Sequence, residues 1–293
     1  METRRTEKIS TILWASDFSR ESLQGLRYLK LFADTFHAVP LAIHVLPRIS
    51  DWIFEAAFVN RGDLFQEMEK IKNEARLRLS HYGEKTGLDI DATVAEGIAS
   101  QEILAHAEQK GADLIIISKR GTSKIKKLLI GSTASRIIRR STIPVLVVCR
   151  RPRATPLKQI LAPVDFHSLS LIELKYALFL ARAFSAELSV THISEIFNYP
   201  LPVIQRQQLV EKANERIQAL ASEAGYPVSR IIHETGEPAG EIIKLAQRGG
   251  ADLIVMATHQ RKGIERLFLG SITEKVLLYA DTPMLILPPA LHD

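Results

Sequence analysis

The stretch at residues 113–148, DLIIISKRGTSKIKKLLIGSTASRIIRRSTIPVLVV, occurs twice in this chain, and the duplication constrains the fold more than any other feature. Asp252-Leu253-Ile254-Val255 repeats Asp113-Leu114-Ile115-Ile116, Gly270-Ser271 repeats Gly131-Ser132, and Pro283-Met284-Leu285-Ile286 repeats Pro144-Val145-Leu146-Val147, all 139 residues later. Within the first copy an apolar run enters a polar turn, Ser118-Lys119-Arg120-Gly121. A glycine–hydroxyl group, Gly131-Ser132-Thr133, then opens a segment of helical pattern. Strand, glycine-bearing loop and helix start are the parts of a phosphate cradle: bare backbone lets N–H groups approach an anion, and the helix N-terminus adds partial positive charge.

The earlier parts of the two copies also match, at a different offset. Asp165 lies 148 residues after Asp17, and His192 lies 148 after His44, so the later copy is nine residues shorter between His44 and Gly97. The predicted domains are residues 1–152 and 153–293, joined through RRPRATPLK (150–158), which has two prolines and no apolar periodicity. A length of 293 residues agrees with two units, each long enough to bury a core.

Strand signals at 12–15, 40–45, 90–94, 113–117 and 144–148 alternate with helical patterns through Leu23, Leu26, Leu29 and Phe32, then over 63–82, 100–109 and after Thr133. The 63–82 helix is predicted to bury Leu64, Met68, Ile71, Ala75 and Leu79, and the aromatic insert at 46–61 (Trp52, Phe54, Phe58) to form a packed loop or lid. Strand–helix alternation implies a parallel sheet covered on both faces, with ligands beyond the strand C-termini where strand order reverses. The fold class is therefore α/β, as two tandem doubly wound five-stranded parallel-sheet domains. Asp17-Phe18-Ser19 reads as a helix-start signal, and Ser170-x-x-Glu173 as a capping box.

Composition narrows the chemistry. The single cysteine, Cys149, rules out an intrachain disulfide and reads as a core residue, and His44 and His192 in apolar strands read as satisfied core histidines. No P-loop, nucleophile–base pair or metal-ligand spacing is present, so no catalytic or metal residue is assigned. The charged start METRRTEKIS lacks an apolar signal region and no apolar run approaches the roughly 20 residues of a membrane span, which sets cytoplasmic as the expected location. The net charge of +5 conceals a block at 114–164 with 12 Lys or Arg and no Asp or Glu, either a solvated positive face or an anion-attracting surface. Aromatic residues do not interleave with these charges, so nucleic acid is not an expected partner.

In this order and twice over, the first-strand Asp in ILWASDFS and ILAPVDFH, the ADLI strand, the glycine–serine block and the closing Pro-plus-apolar strand resemble the universal stress protein family in its tandem form. The resemblance implies an adenine nucleotide alpha hydrolase-like fold whose closing strands pair antiparallel, here as an intramolecular pseudo-dimer, and it is compatible with a homodimer of whole chains. Nucleotide-binding members are similar to G-x-x-G, nine residues, then G-[ST]. Ser118 replaces the first glycine, with Gly121 and Gly131-Ser132 in register. In the second half Ala257 and Gln260 replace both loop glycines and only Gly270-Ser271 remains. The resemblance assigns Asp17 to the adenine–ribose part, Val45 to the base, and Ser118, Gly121, Gly131, Ser132 and Thr133 to the phosphate corner; the matched second-half positions are Asp165, Ile193, Gly270, Ser271 and Ile272.

The expected function is a stress-response binding module taking ATP or another adenine nucleotide in its first half, with slow hydrolysis at most and nothing that specifies a Mg ion. The alternatives are a nucleotide-free scaffold, with an apolar ligand under the Trp52–Phe58 insert, and an adenine-nucleotide-using enzyme such as an adenylyl transferase.

Overall fold

The computed structural model describes residues 8–48, 61–121, 130–149, 156–165, 170–194, 203–223, 225–258 and 270–288. The Trp52–Phe58 insert, most of the linker and Gln260 lie outside the described residues. The first half runs β1 (Thr11–Ala15), a short 3-10 turn (Ser22–Gln24), α1 (Gly25–Phe36), β2 (Val39–Leu46), α2 (Arg61–Thr86), β3 (Asp91–Glu96), α3 (Ala99–Gln109), β4 (Leu114–Ser118), α4 (Ser132–Arg140) and β5 (Val145–Val148). The second runs β6 (Gln159–Pro163), α5 (Ser170–Phe184), β7 (Glu187–Ser194), α6 (Val203–Glu223), β8 (Arg230–Thr235), α7 (Pro238–Arg248), β9 (Leu253–Ala257), α8 (Ser271–Tyr279) and β10 (Met284–Leu287).

All ten strands form one sheet in the order β3-β2-β1-β4-β5-β10-β9-β6-β7-β8. Within each half the strands are parallel and β1 or β6 sits where the order reverses. The halves join through an antiparallel pairing, the only one among the described residues, with Met284 opposite Val147, Leu285 opposite Leu146 and Ile286 opposite Val145. The two closing strands thus cover each other's apolar edge, the pseudo-dimer that the resemblance implies. Strands β4, β5, β9 and β10 are almost wholly buried because helices cover both faces. Helices α1, α2, α5 and α6 supply one apolar layer (Leu29, Leu79, Leu178, Ile217), and α3, α4, α7 and α8 the other (Ile103, Ile137, Ile242, Val276).

Across the pseudo-twofold, α1 meets α5 through aromatic rings. Phe36 and Phe184 occupy matched positions and stand edge-on with centroids 5.6 Å apart, and Phe32 packs on Phe184 at 4.9 Å. Helix α2 extends beyond the predicted span at both ends. Ala75 and Leu79 are buried as expected, whereas Ile71 is 38% exposed; the side chain of Leu64 lies outside the described residues.

Two residues of the repeated signature are structural. Asp113 Oδ2 accepts the backbone N–H groups of Ser10 and Thr11 at 2.7 and 3.1 Å, and Asp252 Oδ2 those of Lys158 and Gln159 at 2.9 and 3.0 Å. Each carboxylate thereby fixes the entry of the neighbouring strand. His44 Nδ1 lies 2.7 Å from the Ser16 carbonyl and His192 Nδ1 2.9 Å from that of Val164; both rings are half-buried rather than in the core, and they tie down the chain just after β1 and β6.

The halves differ where large and small residues exchange places. In the first, buried Trp14 donates from Nε1 to the Ser22 carbonyl at 3.0 Å, and its ring passes so close to Gly25 that a Cβ there would lie 2.7 Å from Nε1. In the second, Ala162 replaces Trp14 and Glu173 replaces Gly25. Glu173 is 2% exposed and accepts the backbone N–H of Ala257 at the end of β9. The sequence reads Glu173 locally, as a capping residue; the contact it makes here is with a residue 84 positions along the chain.

Candidate functional site

At the point where β1 and β4 diverge, the C-terminal ends of β1, β2 and β4 and the first turns of α3 and α4 enclose a half-open cleft of about 190 Å³. This is the crevice position where open α/β sheets bind ligands. The lining brings together all seven residues assigned to the first half: Asp17, Val45, Ser118, Gly121, Gly131, Ser132 and Thr133. Ile43, Ala99 and Ile103 join Val45 to make one end apolar, while Arg120 adds a cation beside the hydroxyls at the other.

Local geometry explains these positions. Asp17 is not the cap of α1, whose N-cap is Gln24: its Oδ1 accepts the Ser19 N–H at 3.0 Å, Ser19 Oγ in turn accepts the Ser22 N–H at 3.1 Å, and Asp17 lines the cleft from the loop ahead of the 3-10 turn. Phe18 follows in the left-handed region (φ 60), its ring 4.4 Å from that of His44 and covered by Arg78 at 4.3 Å. A strained residue next to the candidate site is where backbone strain tends to be stored.

Gly121 lies so close to Asp17 that a Cβ would collide with the carboxylate Oδ2. Gly131 caps α4 with φ −60 and ψ 143, open to any residue, and a Cβ there would meet nothing nearer than the Lys119 carbonyl at 3.5 Å. Neither backbone strain nor internal crowding demands glycine at 131; what a side chain there would occupy is the space beside the cleft. Ser132 is the first residue of α4 rather than its cap, and the cap makes no side-chain hydrogen bond. Ser118 has no positive φ, so serine replaces glycine without backbone strain, and its hydroxyl turns onto the Arg120 carbonyl.

The matched second-half residues occupy the matched places. Asp165 follows β6, Ile193 lies in β7, Gly270 caps α8 with φ −53 and ψ 140, and Ser271 and Ile272 begin that helix. Ile193 and Ile272 are partly buried against the apolar layer of α7 and α8.

Lys119 is the residue that motif reading passed over. Its N–H donates to the Val148 carbonyl at 2.9 Å and its carbonyl accepts the Gly131 N–H at 3.0 Å. Its side chain, 7% exposed, crosses to the other half, where Nζ donates to the carbonyls of Leu278 at 2.7 Å and Ala280 at 3.1 Å. Burial holds the ammonium below the ordinary lysine pKa. Beside it, burial pushes the Cys149 thiol up to about 11, which makes that cysteine an inert core residue. The basic block thus divides: Lys119 is buried, Arg120 lines the cleft, and Arg139 pairs with Glu274 across the halves at 2.9 Å. Among the described residues no group of three or more His, Cys, Asp or Glu could hold a metal, and no helix is long and apolar enough to cross a membrane.

Comparison with known proteins bears on the family and the fold. The model of the universal stress protein family matches twice, over residues 8–149 and 156–288. Universal stress protein MJ0531 of Methanocaldococcus jannaschii is 32% identical over 138 residues, covering 44% of this chain and 81% of that protein. A universal stress protein of Mycolicibacterium smegmatis is 22% identical over 294 residues, covering 95% of this chain and 97% of its own. The crystal structure of a universal stress protein from Archaeoglobus fulgidus superimposes with a TM-score of 0.70 at 21% identity, covering 97% of each chain, which supports the two-unit fold. With the family pattern present in both halves of one continuous sheet, the chain belongs to the universal stress protein family, in tandem form.

Proposed function

We propose that this stress protein binds ATP or another adenine nucleotide in its first half. The observation that carries the reading is one cleft at the switch point, lined by the seven residues that the family resemblance assigns, with an apolar end and a hydroxyl-and-backbone end. In this reading Val45, Ile43 and Ile103 contact the base and Asp17 the ribose side. Gly121, Gly131, Ser132 and Thr133 meet the phosphates with the N-terminus of α4 behind them, and Arg120 adds charge. The activity is binding and switching rather than turnover, in the cytoplasm, by two units divided near residue 152. A homodimer of whole chains would use a surface other than β5 and β10, which are spent on each other.

The second half is the weaker nucleotide site. Gly270 and Ser271 keep the geometry of the helix start, but Glu173 places a buried carboxylate on the Ala257 N–H, the position matched to Ser118. The Glu173 side chain thereby already occupies a backbone N–H at the end of β9. A nucleotide-free scaffold is the alternative reading, favoured by the crowding of the Asp17 carboxylate against Gly121 and by a volume below the roughly 300–1,000 Å³ usual for ligand clefts. Mass spectrometry of ligands released from the purified chain, with calorimetric titration of ATP, decides between them. One bound nucleotide per chain is expected; no released nucleotide and no heat of binding would overturn the reading.

A further inference from the structure

We propose that Lys119 is the positioning residue of the first cleft, holding the phosphate corner in place by anchoring it to the C-terminal turn of α8 in the opposite half. This deepens, and rests on, the nucleotide reading of that cleft. Residue 119 lies between two residues that line the cleft, Ser118 and Arg120. Its backbone is bonded to the end of β5 on one side and to Gly131, the cap of α4, on the other. Its side chain supplies a third attachment, to the carbonyls of Leu278 and Ala280 at 2.7 and 3.1 Å.

Those carbonyls belong to the end of α8, where unpaired acceptors and the negative end of the helix dipole collect. A buried ammonium is costly unless such partners meet it, and the geometry here is fitted to one. Ala280 also receives the Cys149 thiol at 3.8 Å, so the carbonyl set is a shared anchor point rather than a surface contact.

The other half shows what the corner is like without this anchor. Thr258, matched to Lys119, keeps the backbone bond to the closing strand, Thr258 N–H to the Leu287 carbonyl at 3.0 Å. Its hydroxyl donates to the same carbonyl, at 3.4 Å, within its own half. The anchored corner is the one with the fuller loop pattern; the corner with a threonine is the one that lost its loop glycines. An anion seated on residues 118–121 and 131–133 therefore orders the last turn of α8 through Lys119, and by linkage an ordered α8 strengthens the seat.

If Lys119 were only an adhesive between the halves, its loss would lower stability and leave nucleotide binding by the folded chain untouched. The test pairs calorimetric titration of ATP into wild type, Lys119→Met and Gly131→Val with amide hydrogen exchange of the wild-type chain, with and without saturating ATP. The expected result is that ATP slows exchange in residues 131–135 and also in residues 276–282, and that Lys119→Met binds ATP about tenfold more weakly, equivalent to about 1.4 kcal/mol. The exchange arm needs only the wild-type chain, so it stands if the variant misfolds. Wild type that binds no ATP overturns the nucleotide reading itself. Wild type that binds ATP, with exchange at residues 276–282 unchanged or with Lys119→Met of equal affinity, overturns the positioning role alone.

Discussion

The indole of Trp14 and the bare backbone of Gly25 are fitted to each other: a Cβ on Gly25 would stand 2.7 Å from Trp14 Nε1 and 2.9 Å from Cδ1. Gly25→Ala must displace a fully buried ring that also holds the Ser22 carbonyl. The expected cost is about 1–3 kcal/mol, reduced somewhat by the better helix propensity of alanine. Thermal unfolding followed by circular dichroism checks it, and an unchanged midpoint would contradict the packing described.

Glu173→Ala tests the corresponding contact in the second half. Removing the carboxylate leaves the Ala257 N–H without this acceptor, and a buried unsatisfied donor costs about 1–3 kcal/mol. Denaturant titration should show the loss; a variant as stable as wild type would mean that the carboxylate contributes nothing net.

Gly131→Val separates ligand space from fold. The backbone at 131 is unstrained for a side chain and a Cβ fits, so the stability loss should stay near the roughly 1 kcal/mol of a poorer helix cap. The branched side chain stands in the proposed phosphate space, and ATP affinity should fall by more than about tenfold. Gly270→Val should leave ATP affinity almost unchanged. Titration of the three proteins side by side gives the answer, and equal affinities of wild type and Gly131→Val would remove the site assignment.

Phe32→Ala should destabilise both halves together. The ring is fully buried and meets Phe184 of the other half at 4.9 Å, so the truncation should cost about 3–5 kcal/mol. A single shifted transition is expected in calorimetry; one half melting early while the other keeps the wild-type midpoint would show that the interface does not couple them.

Acid should weaken the fold through two histidines. His106 is held below the ordinary histidine pKa by burial and then by Lys110, and His233 by burial and then by His192. His233 Nε2 lies 2.9 Å from Asn214 Oδ1, while its buried Nδ1 has no hydrogen-bond partner among the described residues. With the folded pKa lower than the unfolded one, the unfolded chain takes the proton first. This stability is present above about pH 6.5 and is lost as pH falls through the folded values. The double variant His106→Gln, His233→Gln should lose less in melting temperature than wild type between about pH 7.5 and pH 5.5.

The duplicated ADLI strand, the closing Pro-plus-apolar strand and the glycine–serine block were legible because each carries a local pattern of apolar periodicity or turn chemistry. From these the switch-point location of Asp17, Gly121 and Gly131 follows. The Asp17-Phe18-Ser19 signal located the loop that precedes the first helical turn, whereas periodicity alone placed Ile71 on a buried face where it is exposed. Lys119 and Glu173 were opaque because their partners are 159 and 84 residues away, and a single lysine or glutamate has no period. The usable signal was disagreement between the copies: Lys119 against Thr258, and Gly25 with Trp14 against Glu173 with Ala162. Such mismatches mark where the two halves pack matched positions with different contacts.

The antiparallel seam between Val145–Val148 and Met284–Leu287 has a consequence for how such a molecule can change. When two identical subunits meet along a seam, every mutation appears on both sides at once, so neither crevice can be altered without altering its mate. Covalent fusion lifts that restriction: one half can keep a recognition role while the other drifts toward ballast, lever or brake, and the shared seam keeps the two from parting.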